Sequence, residues 1–425
     1  MTSLRPDRHF RASLDWTRLA VMTFDIAAVR SRFPALSDGY SYLDGAAGTQ
    51  TPTSVIDAIS SAYRVGIGNV GGPFPASGRS TAIVADARQA VADLVGGEAS
   101  GVVLGPNSTT LVYRFAHTLS ADWREGDEIV LSRLDHDANV RPWVQAAARA
   151  GAVVRWAEVD VDTGELPADQ YDALLGDRTR LVAVTAASNI LGTRPDVAAI
   201  TAKARAAGAL TFVDGVHSTP HDLPDVRELG ADFFITSAYK WAGPHIGALV
   251  ADPALLETLH PEKLVPSPDR VPERFETGTS PFADLAGVTA AVEHLAGLAL
   301  PLPSLSRRER LRVSMDAVAA HEGELFEVLL GGLGGLPDVT LYGKPARRTA
   351  IAYFRVAGRT PAEVAEHLAV SGVNVWHGHS YAWELTGALG LRDSGGAVRA
   401  GLAHYNNRED VDRLLAAVAE LTGAG

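Results

Sequence analysis

One residue that could do covalent chemistry is Lys240, which follows the apolar run 233–237. A lysine amine among apolar neighbours is shifted toward its neutral form, and the neutral amine can attack an aldehyde to make a Schiff base. A surface lysine at the end of a strand or helix is the alternative for any single lysine. Lys240 is therefore a candidate nucleophile whose role depends on the residues around it.

An acid stands 26 residues before this lysine, where Asp214 ends the apolar run 210–214. A carboxylate can pair with a protonated pyridine nitrogen and keep the ring an electron sink, which is the main electronic control a protein has over pyridoxal 5′-phosphate (PLP). His217 could donate to the phenolic oxygen of the same ring or to the imine region. The alternatives are a turn or N-cap aspartate and a packing histidine. Together with Lys240, these residues favour a PLP site.

The segment from Gly105 to Tyr113 has the layout of a phosphate-binding turn, with hydroxyl side chains at the start of a helix. Exposed amides and the positive end of a helix dipole suit a dianion, so Ser108 and Thr109 are candidate phosphate ligands. The alternative is an ordinary helix cap that binds no anion.

His136 follows the run that begins at Glu128 and could lie flat over a pyridine ring. Such stacking fixes the tilt of the ring and is worth about 0.5–1.5 kcal/mol beyond area burial. The neighbouring Asp135 and Asp137 raise metal ligation as an alternative, but residues adjacent in sequence rarely converge on one ion. We expect no metal.

The framework for these residues is an alternation of short β-branched runs with Ala-rich helical stretches, from about Tyr42 to Ala290. Apolar runs separated by helices indicate a mostly parallel sheet covered on both faces, whose ligands gather at the carboxyl ends of the strands. A Pro-rich stretch at 300–304 marks a break, and the run 349–356 belongs to a smaller α+β unit beyond it. The clearest runs are 128–132, 152–156, 181–185, 210–214 and 233–237.

Composition excludes several classes of protein. The formal charge of -12 argues against binding to nucleic acid or to an anionic membrane, since both require clustered Lys and Arg. No window of the sequence approaches eighteen consecutive apolar residues, so we expect a cytoplasmic protein that spans no membrane. The chain has no cysteine, which excludes disulfides, thiolate metal sites and thiol nucleophiles.

The 425 residues are enough for two domains. We expect residues 1–21 to be a disordered extension, with Met22 as the natural start, and residues 22–40 to pack with the smaller domain. Residues 41–295 form the predicted large PLP-binding domain and residues 296–425 the small C-terminal domain.

Taken together, the motifs resemble the class V aminotransferase family of fold-type I PLP enzymes, most closely its cysteine desulfurase and selenocysteine lyase branch. The resemblance runs from Phe24 to Leu421. It implies an α/β fold, with a large domain built on a mostly parallel seven-stranded sheet between helices and a smaller α+β C-terminal domain. The segments that carry it are 42–49, 108–109, 135–136, 188–193, 213–217, 236–240, 274–279 and 398–406.

The resemblance assigns roles around the cofactor ring. It implies that Lys240 carries the Schiff base, that Asp214 pairs with the pyridine nitrogen and that His136 stacks on the ring. It also implies that Asn189 and His217 form hydrogen bonds near the phenolic oxygen.

The resemblance also implies the phosphate and substrate contacts. Ser108 or Thr109 and Ser237 would hold the phosphate, joined by Thr279 from a second subunit, so we expect a homodimer with shared active sites. Arg399 matches the arginine that holds the substrate carboxylate. A planar guanidinium can form two parallel hydrogen bonds to a carboxylate, which a lysine cannot do as well.

Two positions depart from the family pattern. Tyr239, in a cofactor-binding position, stands where the family commonly has histidine, which puts the phosphate contact or proton transfer there in doubt. Tyr381 stands where desulfurases of this branch carry the persulfide cysteine, and the chain has no other cysteine. A persulfide on the enzyme, and hence a conventional desulfurase, is excluded.

The substrate pocket is predicted around the loop 375–384, with a second wall at Asn69, where neighbouring glycines permit unusual backbone angles. A packed edge of the small domain is the alternative for the loop. Its candidate substrate-binding residues are Trp376, His377, His379 and Tyr381.

We expect a PLP-dependent lyase that acts at the α-carbon of an amino acid, by a desulfurase-like α,β-elimination that releases its leaving group into solution. Transamination is the principal alternative and epimerisation the next, although no second lysine lies in a recognised motif to serve the opposite face. A PLP-binding protein without catalysis is disfavoured by the presence of Lys240, Asp214 and Arg399.

Overall fold

The structure, a computed structural model, describes residues 24–299 and 304–422. The extension predicted at 1–21 and the predicted start at Met22 lie outside these residues. The strands are β1 (Ser41–Tyr42), β2 (Val102–Gly105), β3 (Glu128–Ser132), β4 (Val153–Ala157), β5 (Thr179–Thr185), β6 (Leu210–Asp214), β7 (Phe233–Ser237), β8 (Gly247–Ala251), β9 (Val339–Leu341), β10 (Ile351–Val356), β11 (Val373–Asn374), β12 (Trp376–Gly378) and β13 (Ala397–Gly401). The α-helices are α1 (Ile26–Arg30), α2 (Thr53–Val65), α3 (Pro75–Val95), α4 (Ser108–Ser120), α5 (Arg141–Ala150), α6 (Tyr171–Leu174), α7 (Val197–Ala206), α8 (Pro253–Glu257), α9 (Phe282–Ala296), α10 (Arg307–Gly335), α11 (Pro361–Val370), α12 (Trp383–Ala388) and α13 (Arg408–Leu421).

The central sheet has seven strands in the order β2-β8-β7-β6-β5-β3-β4. Its neighbours from β7 to β4 are parallel, whereas β8 runs antiparallel to both β7 and β2. This arrangement confirms the predicted α/β fold with a mostly parallel seven-stranded sheet. All five predicted apolar runs form strands of this sheet.

The strands alternate between two apolar layers, because successive side chains of a strand point to opposite faces. In β5, Val182 and Val184 belong to one buried cluster, and Leu181 and Ala183 belong to the other. Helices cover both layers, so neither face can offer a polar site. The polar groups of the sheet are available at its strand ends.

A second sheet, antiparallel throughout, has the order β12-β13-β10-β9. The short strand β1 pairs in parallel with β11, and Asp44 forms an isolated bridge with Gly401 of β13. These pairings bring the segment after β1 beside the second sheet. The division of the chain at residues 40 and 295 stays a prediction.

The described part of the N-terminal segment, residues 24–40, lies against the C-terminal part of the chain. Arg30 donates through Nη1 to the carbonyl oxygen of Tyr405 and to Oδ2 of Asp410, each at 2.8 Å. Phe33 packs against the ring of Tyr405 at a centroid distance of 5.0 Å. These contacts fix where the chain enters β1.

Local sequence signals set the helix ends. α10 begins with a capping box in which Ser306 and Glu309 satisfy each other's backbone amides. α3 begins with Pro75 in its first turn and stops at Gly96, whose φ of 74° suits the left-handed region that glycine favours. Within residues 24–299 and 304–422, no helix has both the length and the apolar character to cross a membrane.

Candidate active site

Three neighbouring strands of the central sheet deliver polar residues to one edge. Thr185 ends β5 and pairs in register with Asp214, which ends β6. Asp214 in turn pairs with Ile235 of β7, and the chain then enters a short 3-10 turn that contains Lys240. The predicted nucleophile and the predicted acid therefore lie at the same edge of the sheet.

Lys240 is buried, with 6% of its surface exposed, and its Nζ donates a hydrogen bond to the carbonyl oxygen of Ala46. Burial lowers the pKa of the amine to about 7; the charge of Arg399 lowers this pKa further and the carboxylate of Asp214 raises it. A lysine amine of this kind is neutral in a large fraction of molecules near neutral pH, as a nucleophile must be.

Asp214 is buried, and its Oδ1 accepts a hydrogen bond from the amide of Val216 at 2.9 Å. Burial raises the pKa of this carboxyl to about 6, while that amide and the charge of Lys240 lower it. The other carboxylate oxygen remains available toward the pocket. Asp214 can therefore hold a charged partner at a buried position.

Asp135, adjacent to His136 in sequence, is a second buried acid. Ser132 and Asn139 both donate to its carboxylate, the latter at 2.7 Å. Burial raises its pKa to about 8, and the charge of Asp214 raises it too. Among the residues that the structure describes, no group of three or more potential ligands is placed to hold a metal ion.

His136 caps the short turn that follows β3, and its Nδ1 accepts a hydrogen bond from the amide of Ala138 at 3.0 Å. Burial lowers its pKa to about 3, and the charges of Lys240 and Arg399 lower it further. The ring of Tyr381 stacks on it at a centroid distance of 5.4 Å and an angle of 27°. His136 is thus a neutral aromatic ring held in a fixed orientation.

Two connected cavities meet above these residues. The inner one has a volume of about 50 Å³ and the outer one about 980 Å³, and Lys240 lies at their junction. The inner cavity is lined by Ser108, Thr109, His136, Ala138, Thr185, Ala187, Asn189, Asp214, Val216, His217, Tyr239 and Lys240. Arg399 and the predicted loop residues Trp376, His377, His379 and Tyr381 line the outer cavity.

The inner cavity reaches the start of α4. Asn107 caps this helix by accepting from the amide of Thr110 at 2.8 Å, and the amide of Ser108 donates to Oγ of Ser237 at 3.3 Å. Across the described chain, the hydroxyls of Ser108 and Thr109 have no hydrogen-bond partner. Capping therefore occupies Asn107 and leaves the two predicted phosphate ligands available.

A glycine permits the close approach on which this turn depends. A Cβ added at Gly247, the first residue of β8, would lie 2.4 Å from the carbonyl carbon of Asn107. Any side chain at this position would push the turn away from the end of the sheet.

Arg399 enters from β13 of the second sheet and is 5% exposed. Its Nη1 donates to the carbonyl oxygen of Asn189 at 3.0 Å, and burial lowers its pKa to about 10. The side-chain amide of Asn189 donates to the carbonyl oxygen of Ser380 at 2.7 Å, while its Oδ1 is buried without a partner. Its predicted contact with a phenolic oxygen stays a prediction.

His217 is 3% exposed, and its Nε2 lies 2.9 Å from Oγ1 of Thr349. Its Nδ1 is buried without a hydrogen-bond partner. Burial holds the pKa of the ring well below its usual value, and the neighbouring His221, Lys240 and Arg399 act in the same direction. His217 is a neutral imidazole with one unused nitrogen.

The loop after β12 forms a wall of the outer cavity. Ser380 and Tyr381 adopt left-handed backbone angles, with φ of 47° and 59°, and the carbonyl oxygen of Tyr381 accepts from the amide of Asp137 at 2.7 Å. Such angles are uncommon outside glycine and require contacts that hold them. The side chain of Tyr381 is 67% exposed.

Two predicted residues lie outside the cavities of this chain, whereas Tyr239 lies at them. Asn69 and Thr279 are exposed and line neither cavity of their own chain, so the structure does not bring the Asn69 wall to this site. Tyr239 lines both cavities, and its ring stacks on His245 at 4.9 Å. Burial raises the pKa of its phenol.

Several lining residues were not predicted from sequence. Thr185 ends a strand, as Asp214 does, so the rule that ligands gather at strand ends could have found it. Arg141 and Arg392 line the outer cavity without any motif of their own. Thr349 comes from outside the central sheet, and nothing in its local sequence signals a contact with His217.

The residues present fit PLP. Lys240 offers a buried amine, Asp214 a buried carboxylate, and His217 an unused ring nitrogen at the inner cavity. The start of α4 offers the hydroxyls of Ser108 and Thr109 and the positive end of the helix dipole, which suit a phosphate.

Comparisons with known proteins agree on one family. A family model described as "Aminotransferase class-V" matches residues 41–414. An uncharacterized protein of Mycobacterium tuberculosis is 40% identical over 94% of this chain and all of its own length, and a probable cysteine desulfurase of Pseudomonas putida is 34% identical over 92% and 96%. The crystal structure of the cysteine desulfurase CsdA from Escherichia coli has a TM-score of 0.83 at 28% identity, and the match covers 94% of this chain and 99% of that one.

Proposed function

The chain belongs to the class V aminotransferase family and is a PLP-dependent enzyme, and from that premise we propose that it catalyses an α,β-elimination from an amino acid, as a desulfurase-like lyase that forms no enzyme persulfide. The observation that carries this proposal is Lys240, a buried amine that lines both cavities and whose pKa responds to Asp214 and Arg399. Bound PLP supplies the electron sink that makes removal of a substrate α-proton possible.

In the proposed reaction Lys240 has two tasks, attachment of the cofactor and movement of a proton at Nζ. The pKa of about 7 supports both tasks, because a general base works best with a pKa near the operating pH. Asp214 would pair with the ring nitrogen of the cofactor. His136 would pack against the ring, a role supported by its half-buried position and its lowered pKa.

Arg399 would bind the substrate carboxylate. Its Nη1 contact with Asn189 leaves the rest of the guanidinium for a two-pronged contact, and its burial strengthens an ion pair with a carboxylate. This pair would orient the α-carbon toward Lys240.

The loop after β12 indicates where the leaving group would go in the proposed reaction. Tyr381 lies at the position that the family resemblance assigns to the persulfide cysteine, and the chain has no cysteine. Because Trp376 and Tyr381 are 54% and 67% exposed, this wall of the outer cavity faces solvent. A group that leaves the β-carbon would pass into water and not onto the protein.

We also propose a homodimer in the cytoplasm. Support comes from Thr279, which lies outside the cavities of its own chain, and from exposed apolar side chains, of which Tyr113 lines the outer cavity. These side chains are Tyr63, Val65, Val70, Phe74 and Tyr113. Light scattering should give a mass near twice the 44.8 kDa of one chain.

One experiment separates elimination from its alternatives. The PLP-loaded enzyme is incubated with a panel of amino acids while keto acid, ammonia, sulfide, pyridoxamine phosphate and α-deuterium exchange are measured together. Keto acid with ammonia supports elimination. Stoichiometric pyridoxamine phosphate would contradict elimination and support transamination. Exchange of the α-hydrogen for deuterium with inversion at the α-carbon would contradict elimination and support epimerisation.

A further inference from the structure

The unused nitrogen of His217 raises the question of which of its two ring nitrogens carries the hydrogen. The ring is neutral and therefore carries one hydrogen, on Nδ1 or on Nε2. Nε2 lies 2.9 Å from Oγ1 of Thr349, Nδ1 is buried without a partner, and the residue lines the inner cavity.

The hydroxyl of Thr349 separates the two arrangements. Thr349 is 5% exposed, and within the described chain the only hydrogen-bond partner of its hydroxyl is His217. If Nε2 carried the hydrogen, the hydroxyl would accept it and its own buried hydrogen would have no acceptor. If Nε2 is bare, the hydroxyl donates to it and the ring hydrogen sits on Nδ1. The first arrangement leaves both the hydroxyl hydrogen and Nδ1 unpaired, whereas the second leaves only the Nδ1 hydrogen, which an anionic oxygen at this site could accept. The second arrangement is therefore favoured.

The charged and titratable neighbours support a neutral ring. Lys240, Arg399 and His221 face His217, and each disfavours a positive imidazolium. His221 lies with its ring at 4.8 Å from that of His217, and its Nδ1 donates to Oε2 of Glu322 at 2.7 Å. That carboxylate is thus engaged by His221.

We propose that Thr349 is a positioning residue: its hydroxyl donates to Nε2 of His217, so that the ring presents an Nδ1 hydrogen to an anionic oxygen of the bound cofactor. This inference rests on the proposed binding of PLP at Lys240. A bare Nδ1 would repel such an oxygen, whereas an Nδ1 hydrogen gives it a donor. Thr349 reaches this position because its backbone amide donates to the carbonyl oxygen of Gly192 at 2.9 Å.

The test compares Thr349→Val, which keeps the shape and removes the hydroxyl, with Thr349→Ser, which keeps the hydroxyl. Thr340→Val, at an exposed position of β9, controls for the substitution type. Thr349→Val should weaken PLP binding by about five-fold, the order expected for one impaired hydrogen bond, and should move the visible absorbance maximum. Thr349→Ser and Thr340→Val should match the wild type in both measurements.

A second measurement reads the hydrogen directly. In PLP-loaded protein labelled with [15N]histidine, with His217→Gln to assign the signal, the wild type should carry the His217 hydrogen on Nδ1. A hydrogen on Nε2, or a Thr349→Val variant with wild-type affinity and absorbance, would overturn the inference and leave the proposed function standing. A wild type that binds no PLP would overturn both.

Discussion

Asp214 ends β6 and Lys240 follows its parallel neighbour β7, and each shifts the pKa of the other: the lysine lowers that of the carboxyl, and the carboxylate raises that of the amine. Burial acts in the opposite direction on both groups and is the larger effect. The outcome is an amine with a pKa of about 7 and an acid with a pKa of about 6 at one edge of the sheet.

This coupling predicts how cofactor attachment depends on pH. Only the neutral amine adds to an aldehyde, so the rate at which apoprotein reacts with PLP should rise as pH passes through about 7 and then level off. Asp214→Asn removes a charge that favours the protonated amine, so the midpoint should move down by about one pH unit. Stopped-flow absorbance over a pH series measures it.

The matched control for that experiment is Asp162→Asn, at an exposed position. This variant should keep the wild-type midpoint. An Asp214→Asn midpoint that stays in place or moves up would show that the carboxylate does not act on the amine.

Gly247→Ala should disturb the phosphate end of the site. The added Cβ would approach the backbone at Asn107 to 2.4 Å, so the turn that starts α4 must shift. We expect the dissociation constant for PLP to rise at least about ten-fold, which corresponds to about 1.4 kcal/mol. Gly78→Ala, where an added Cβ meets nothing within 4 Å, should bind PLP normally; equal effects of the two variants would argue against a phosphate site there.

Arg399→Lys tests the substrate carboxylate contact. The lysine keeps a positive charge but loses the two-pronged geometry, and a hydrogen bond to a charged group contributes about 1.5–3 kcal/mol. The KM for the amino acid should rise about 10- to 100-fold while PLP affinity changes little. Arg149→Lys, on the exposed side of α5, is the control, and a KM unchanged by Arg399→Lys would place the carboxylate elsewhere.

Tyr381→Cys tests the position assigned to the missing persulfide cysteine. The variant gives the chain its single cysteine, at an exposed position of the outer cavity. With L-cysteine as substrate, mass spectrometry should detect an added sulfur atom on this variant and none on the wild type. A Tyr381→Cys thiol that alkylating reagents modify but that never gains sulfur would show that the loop does not present this position to the reaction.

The sequence was a good guide where the site depends on the central sheet. The apolar runs that end at Asp214 and at Ser237 are buried strands, and parallel strands bring their carboxyl ends to one edge. Asp214, Lys240 and the start of α4 could therefore be placed together before any contact was known.

The contacts that sequence reasoning missed join parts of the chain that lie far apart in sequence. Thr349 approaches His217 across 132 residues, and Asn189 meets Ser380 across 191. Lys240 donates to the backbone of Ala46, and a carbonyl oxygen carries no sequence signal. Asn69 was predicted from glycines alone, which permit a loop without directing its side chain to the cavity.

The most direct test of the account is to locate the cofactor on the chain. PLP-loaded protein is reduced with borohydride, digested, and analysed by mass spectrometry, with Lys240→Ala treated in parallel. We expect the phosphopyridoxyl group on the peptide that contains Lys240, and no visible absorbance band in Lys240→Ala. A label on another lysine, no label at all, or a Lys240→Ala protein that keeps the band would contradict the account.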